Sequence, residues 1–166
     1  MTSSSAPGKI ILFGEHAVVY GYPALAVPVT QVQATATVNK KSRRGMIIEA
    51  PNINLTSELS SLALDHPLSV VIHGVYSALK ITHIPACTLY IQSTIPVAAG
   101  LGSGAAVSVA VIRALSEFLG QPFTNEEVNK LAFEAEKIYH GTPSGIDNTV
   151  VTYSKPVYFI KKKPIK

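Results

Sequence analysis

The stretch Ile95-Pro96-Val97-Ala98-Ala99-Gly100-Leu101-Gly102-Ser103-Gly104-Ala105-Ala106 has the residue types of a phosphate-binding turn. Glycines let a backbone curl and approach a ligand closely, because no Cβ stands in the way. The run from Val107 to Leu119 that follows reads as a helix. The first N–H groups of a helix have no internal partner and carry partial positive charge, so an anion fits there. The stretch is not a Walker sequence, since Gly8-Lys9 lacks the upstream Gly and Ser103 is not preceded by Lys. A tight strand-to-helix turn built of small residues for packing explains the same pattern. Ser103 keeps two readings as well, a ligand for Mg²⁺ or a phosphate oxygen, or a simple helix cap.

Two other segments carry polar residues in unusual company. Lys9 and Gly14-Glu15-His16 stand at the two ends of a short apolar run. A lysine at a strand edge is usually solvated, but one aimed at a ligand would stabilise an oxyanion or a phosphate. The third segment is His140-Gly141-Thr142-Pro143-Ser144-Gly145-Ile146-Asp147-Asn148, preceded by Glu136 near the end of a helical pattern. Its Gly-Thr-Pro and Ser-Gly pieces are ordinary turn chemistry. With Glu136 on the same side, however, Asp147 makes a second carboxylate beside an anion site. That pair suits a metal ligand and a proton acceptor or electrostatic partner.

The elements that must position these residues are legible in outline. Lys9 to Phe13 and Ala24 to Pro28 are short apolar pieces, and Val32 to Val38 alternates as a strand with one buried face does. Lys40-Lys41-Ser42-Arg43-Arg44 has the look of a hairpin tip ending at Gly45, with Met46 to Ala50 returning antiparallel. Asp65-His66-Pro67 starts a helix that runs to Leu79 with Val70, Val71, Val75 and Leu79 near one face, weakened by Gly74. Thr88 to Gln92 is a strand leading into the glycine-rich turn. Thr124-Asn125-Glu126-Glu127 fits a capping box for a helix to about Tyr139, with Leu131, Ala135 and Ile138 inward. A loop from His140 to Asp147 and two short strands, Val150 to Tyr153 and Val157 to Ile160, complete the pattern. Hairpin-like order among mixed elements favours α+β over a doubly wound sheet.

Composition narrows the function class. In 166 residues, 47% are hydrophobic and 14% charged, the balance of one well-buried globular domain rather than a disordered chain. The net charge of +4 sits largely in Lys40–Arg44 and Lys161–Lys166, without a base-reading motif or interleaved aromatics, so no nucleic-acid partner is expected. Cys87 is the single cysteine, which excludes a disulfide framework and a thiolate metal site, and the five histidines lack zinc-ligand spacing. No secretory signal or membrane-spanning run is evident, so the Asn54-Leu55-Thr56 sequon reads as accidental and no membrane partner is expected.

Taken in order, Ala6-Pro7-Gly8-Lys9 with Gly14-Glu15-His16-Ala17-Val18-Val19-Tyr20-Gly21, the Pro96 to Ala106 loop, and His140 to Asn148 resemble the motifs of one family. It is the family of galacto-, homoserine, mevalonate and phosphomevalonate kinases. The Gly-Glu-His-Thr-Asp form typical of galactokinases is absent, and the third motif is most similar to the mevalonate branch. The resemblance implies an N-terminal domain of the ribosomal protein S5 domain 2-like type, spanning residues 1–166. The family's C-terminal ferredoxin-like domain is expected to be missing, so that this domain or a second chain would be needed; a homodimer is a further expectation.

The implied activity is ATP-dependent phosphorylation of mevalonate to 5-phosphomevalonate in isoprenoid biosynthesis, in the cytoplasm, with Mg²⁺, and little turnover is expected of this portion alone. The alternatives are a non-catalytic nucleotide-binding half, or a kinase for phosphomevalonate or homoserine. By motif position, Asp147 matches the catalytic Asp, as proton acceptor or electrostatic partner, and Lys9 its cation. Glu136 matches the Mg²⁺ ligand, and Glu15 and His16 match positions near mevalonate. Ala98, Ala99, Gly100, Leu101, Gly102, Ser103 and Gly104 would wrap the phosphates, and Asn52 and Ser93 match nucleotide contacts. Gly104 departs from the family's second Ser, which leaves Ser103, a water or Glu136 alone to serve the metal.

Overall fold

The computed structural model describes residues 1–41, 45–96 and 99–161, with the side chains of all of these except Tyr139 and His140. Long alternating runs build its sheet. Strand β1 spans Thr2–Phe13 and β2 spans Ala24–Lys40, each longer than the apolar pieces alone suggest. On β2, Ala24, Ala26, Ala34, Ala36 and Val38 are buried while their neighbours are not, the period of a strand with one covered face. The other strands are β3 (Met46–Ala50), β4 (Leu55–Glu58), β5 (Cys87–Ser93) and β6 (Val157–Phe159). Their order is β1-β2-β5-β3-β4, with β6 paired to the beginning of β2.

The hairpin expected around the basic segment does not form as a pair. β2 pairs antiparallel with β5, and β3 runs parallel to β5 and antiparallel to β4, so Met46 to Ala50 never meets β2. A central place for β5 buries its inward Cys87, Leu89 and Ile91 at 4% exposure or less, beneath the helical layer. Ser42 to Arg44 and Lys162 to Lys166, parts of the two basic clusters, lie outside the described residues.

Among the described residues, four α-helices cover one face of the sheet: α1 (Pro67–Ala78), α2 (Ser103–Phe118), α3 (Asn125–His140) and α4 (Ile146–Tyr153). α2 lies against β1 and β2, α1 and α3 pack on it and on each other, and α4 bridges α2, α3 and the β1–β2 end. α2 starts at Ser103, a turn earlier than its apolar run. The capping box at Thr124 and Glu127 forms as expected. On α3 the buried stripe is Val128, Ala132 and Ala135 with Glu136, whereas Ile138 is exposed. The 128–132–136 spacing places a carboxylate on the apolar side of a helix.

Val150 to Tyr153, expected as a strand, is helical. The run Thr149-Val150-Val151-Thr152 has β-branched side chains with high strand preference, which tertiary packing overrides. Ile146 and Val150, four apart, fill a second apolar cluster with Val18, Ala24, Val157 and Phe159, while Val151 joins the main core. The Thr149 hydroxyl donates to the Gly145 carbonyl at 2.6 Å, a bond that a helical turn makes possible. The α+β class stands. No helix among the described residues is long and apolar enough to cross a membrane.

Candidate active site

A break in strand register creates the site. Thr2 to Pro7 pair with Val38 to Gln33, but Gly8 pairs with Val29, so Thr30, Gln31 and Val32 are extra residues on β2. Such a bulge re-aims side chains. Ala6 and Lys9 both face the covered side although they are three positions apart, a phase change that alternation forbids in a regular strand. Lys9 is thereby turned inward at 4% exposure. Its backbone N–H donates to the Leu101 carbonyl at 2.9 Å, tying the glycine-rich loop to β1.

Gly102 explains how the lysine fits. A Cβ at this position would stand 2.7 Å from Lys9 Cγ and 3.1 Å from Cε, and the backbone has φ +67°. The residue is glycine because the lysine stem passes beneath it and because the conformation is left-handed. This role is packing under the loop, distinct from close approach to a ligand. Ser103 and Gly104 follow as the first residues of α2 and face the same cleft as Ala99 to Gly102. Ala98 lies outside the described residues.

Lys9 Nζ meets Asp147 Oδ2 at 3.0 Å, with side-chain exposures of 5% and 23%. Asp147 lies in the first turn of α4, where the partial positive charge of the helix end favours a carboxylate. Glu136, 5% exposed, belongs to the same group through α3. Its pKa is pushed up to about 7, chiefly by burial and next by the like charge of Asp147, with Lys9 pulling the other way. The structure therefore brings together one buried cation and two carboxylates of different character. Asp147 is partly wet and ion-paired, and Glu136 is desolvated. Among the described residues, no three His, Cys, Asp or Glu side chains gather as a metal cluster.

The cleft around this group has a volume of about 1240 Å³. Glu15 and His16 are exposed on its rim, after the turn at Gly14, where a Cβ would collide with the Pro23 carbonyl. On another part of the wall Asn52 and Ser93 hold each other: Asn52 Nδ2 donates to the Ser93 carbonyl at 3.1 Å, and Ser93 N–H donates to Asn52 Oδ1 at 2.9 Å. The two residues predicted from different stretches thus form one unit. Every candidate among the described residues lines the cleft.

The cleft wall also contains residues that sequence reasoning did not single out. Thr142 and Ser144 flank the buried Pro143, Thr94 directly precedes the glycine-rich stretch at Ile95, and His66 stands just before the first helical residue of α1. The Thr-Pro-Ser pattern was a signal for the first two. Nothing in the spacing of His66 pointed to the cleft.

The sequence and the fold have relatives among known proteins. The family described as "GHMP kinases N terminal domain" matches residues 70–155. The mevalonate kinase of Thermococcus gammatolerans is 38% identical over 96% of this chain and 52% of its own length. The crystal structure of Methanococcus jannaschii mevalonate kinase superposes with a TM-score of 0.85 at 27% identity, covering 99% of this chain and 54% of that one. That of L. major mevalonate kinase, in complex with R-mevalonate, gives 0.75 at 29% identity, over 100% and 52%. The chain spans about half the length of the relatives it matches. With its glycine-rich loop seated on Lys9 and the match running from within α1 through α4, the chain belongs to the GHMP kinase N-terminal domain family.

Proposed function

We propose that this chain supplies the catalytic half of an ATP-dependent phosphotransferase acting on the 5-hydroxyl of mevalonate. The observation that carries this reading is the 3.0 Å Lys9–Asp147 pair at the foot of a glycine-rich loop. Supporting it, relatives of 32 to 40% identity are named mevalonate kinases. The L. major structure holds R-mevalonate.

In this reading Asp147 accepts a hydrogen bond from the substrate hydroxyl and orients it, taking its proton as the phosphoryl group arrives. Lys9 pairs with Asp147 and offsets charge that grows on the transferring oxygens. Glu15 and His16, on the rim, bind mevalonate, and Asn52, Ser93 and the loop from Ala98 to Gly104 bind ATP. Hard oxygen donors suit Mg²⁺, and Glu136 with Ser103 are the groups that would hold it. A buried carboxyl whose pKa has risen to about 7 fits that task, since a divalent cation would keep it ionised. Bound there, Mg²⁺ would neutralise phosphate charge.

Full turnover requires a segment equivalent to the rest of the relatives' length, in the same polypeptide or another, to close the cleft. The cytoplasm is the proposed compartment. Self-association, with a homodimer as its simplest form, is proposed for the exposed apolar side chains near the end of β1, Phe13 at 72% and Tyr20 at 83% among them. The test is ADP release with mevalonate, phosphomevalonate, homoserine and galactose as acceptors. Mevalonate is expected to stimulate release most; a preference for another acceptor overturns the substrate assignment.

A further inference from the structure

His66 caps α1, and its imidazole does so in an unusual way. The Nδ1 atom accepts a hydrogen bond from the Leu68 N–H at 3.2 Å, while Pro67 at the first helical position has no N–H to satisfy. Ser, Thr, Asp and Asn are the preferred residues for this task. An imidazole whose Nδ1 accepts carries its proton on Nε2, so the hydrogen bond fixes the tautomer and leaves a donor on the ring's other side. His66 is only partly buried and lines the large cleft together with Ile53 and Pro67.

The two ends of the glycine-rich loop are held by different partners. At its beginning, Ser93 Oγ accepts from the Ile95 N–H at 3.1 Å, and Ser93 is locked to Asn52. At its far end, the Leu101 carbonyl is bonded to Lys9. A triphosphate lying along the loop with its terminal phosphate toward Lys9 and Asp147 directs its base toward the Asn52–Ser93 end. There Ile53, 57% exposed, and Pro67 offer apolar surface to a ring face.

We infer that His66 is a specificity-determining residue of the nucleotide site, donating Nε2–H to an acceptor nitrogen of the purine base. The inference rests on the proposed kinase reading and goes beyond it in assigning a contact to the base end. His66→Ser separates cap from contact, because serine caps a helix but cannot reach the base.

Calorimetric titration of the chain with Mg-ATP and with tripolyphosphate, before and after substitution, tests the assignment. His66→Ser is expected to weaken Mg-ATP roughly 3- to 10-fold, the size of one hydrogen bond. Tripolyphosphate affinity and the melting temperature should stay unchanged. Equal Mg-ATP affinity in both proteins overturns the inference and leaves His66 as a cap alone. Equal weakening of both ligands also overturns it, since the effect would then lie at the phosphates. Binding of neither ligand by the unsubstituted chain overturns the kinase reading itself.

Discussion

A lysine at 4% exposure is costly unless a counter-charge meets it, and Asp147 does so at 3.0 Å. Removing the negative charge while keeping the shape separates chemistry from binding. Asp147→Asn is expected to lower mevalonate-dependent turnover by about 100-fold or more, with Mg-ATP affinity, read by calorimetry, changed far less. Gly102→Ala should be worse for the fold than for any ligand. Its Cβ would press on Lys9 Cγ at 2.7 Å from a left-handed backbone, and a loss of about 1–3 kcal/mol in denaturant unfolding is expected. Unchanged stability would mean that the lysine stem yields freely.

Glu136 ties stability to pH with a definite sign. Its folded pKa of about 7 lies above the ordinary 4.5, so below pH 4.5 the carboxyl is neutral in both folded and unfolded chains. Between these values the folded state holds a proton that the unfolded chain has released, so the contribution of Glu136 to stability is lost as pH rises through about 7. Glu136→Gln is therefore expected to be more stable than the parent at pH 8, by up to roughly 3 kcal/mol, and to show no ionic gain at pH 4. Melting curves at both pH values check this, and an equal gain at both would trace the effect to packing instead. The same variant should bind Mg-ATP less well, the usual exchange of stability for a functional charge.

At the scale of elements, the β1–β2 bulge matters most, because it turns one strand's alternation through a step and sends Lys9 inward. The lysine, the two carboxylates and the glycine-rich loop were all legible as residues, since each type is rare in ordinary packing at such spacing. The register shift that unites them was not. The polar pair Thr30-Gln31 interrupts the alternation that Val32 to Val38 keeps, but such a pair reads as a turn or a strand end as readily as three extra residues inside one long strand. The misread strand at Val150 had a different cause: β-branched preference is local, whereas the contacts that make α4 a helix come from Val18, Ala24 and Phe159 far along the chain. The pairing of β3 with β5 was hidden likewise, since proximity in sequence favours a hairpin with β2. Gly104 lies in the first turn of α2, where the motif resemblance implies a serine, and Gly104→Ser is expected to maintain or improve Mg-ATP use. A clear loss of Mg-ATP-dependent activity in a chain joined to its complementary half would contradict that alignment of the loop.

Over the whole molecule, helices cover one face of the sheet, and apolar side chains emerge around the end of β1. Ile10, Leu12, Phe13, Tyr20, Tyr22 and Tyr158 are 40 to 83% exposed. Exposed apolar groups gathered in this way favour association. Sedimentation velocity is expected to show concentration-dependent self-association, weakened in a Phe13→Ser, Tyr20→Ser double variant; a monomer at all concentrations would contradict it. The most direct test of the central claim is ³¹P NMR of the chain with Mg-ATP and mevalonate, supplemented with the C-terminal half of a relative such as the Thermococcus gammatolerans enzyme. The expected result is a new phosphomonoester signal coupled to a CH₂ group, growing as ATP is consumed and absent with Asp147→Asn. Bound ATP that yields no such signal, or only inorganic phosphate, would contradict the assignment.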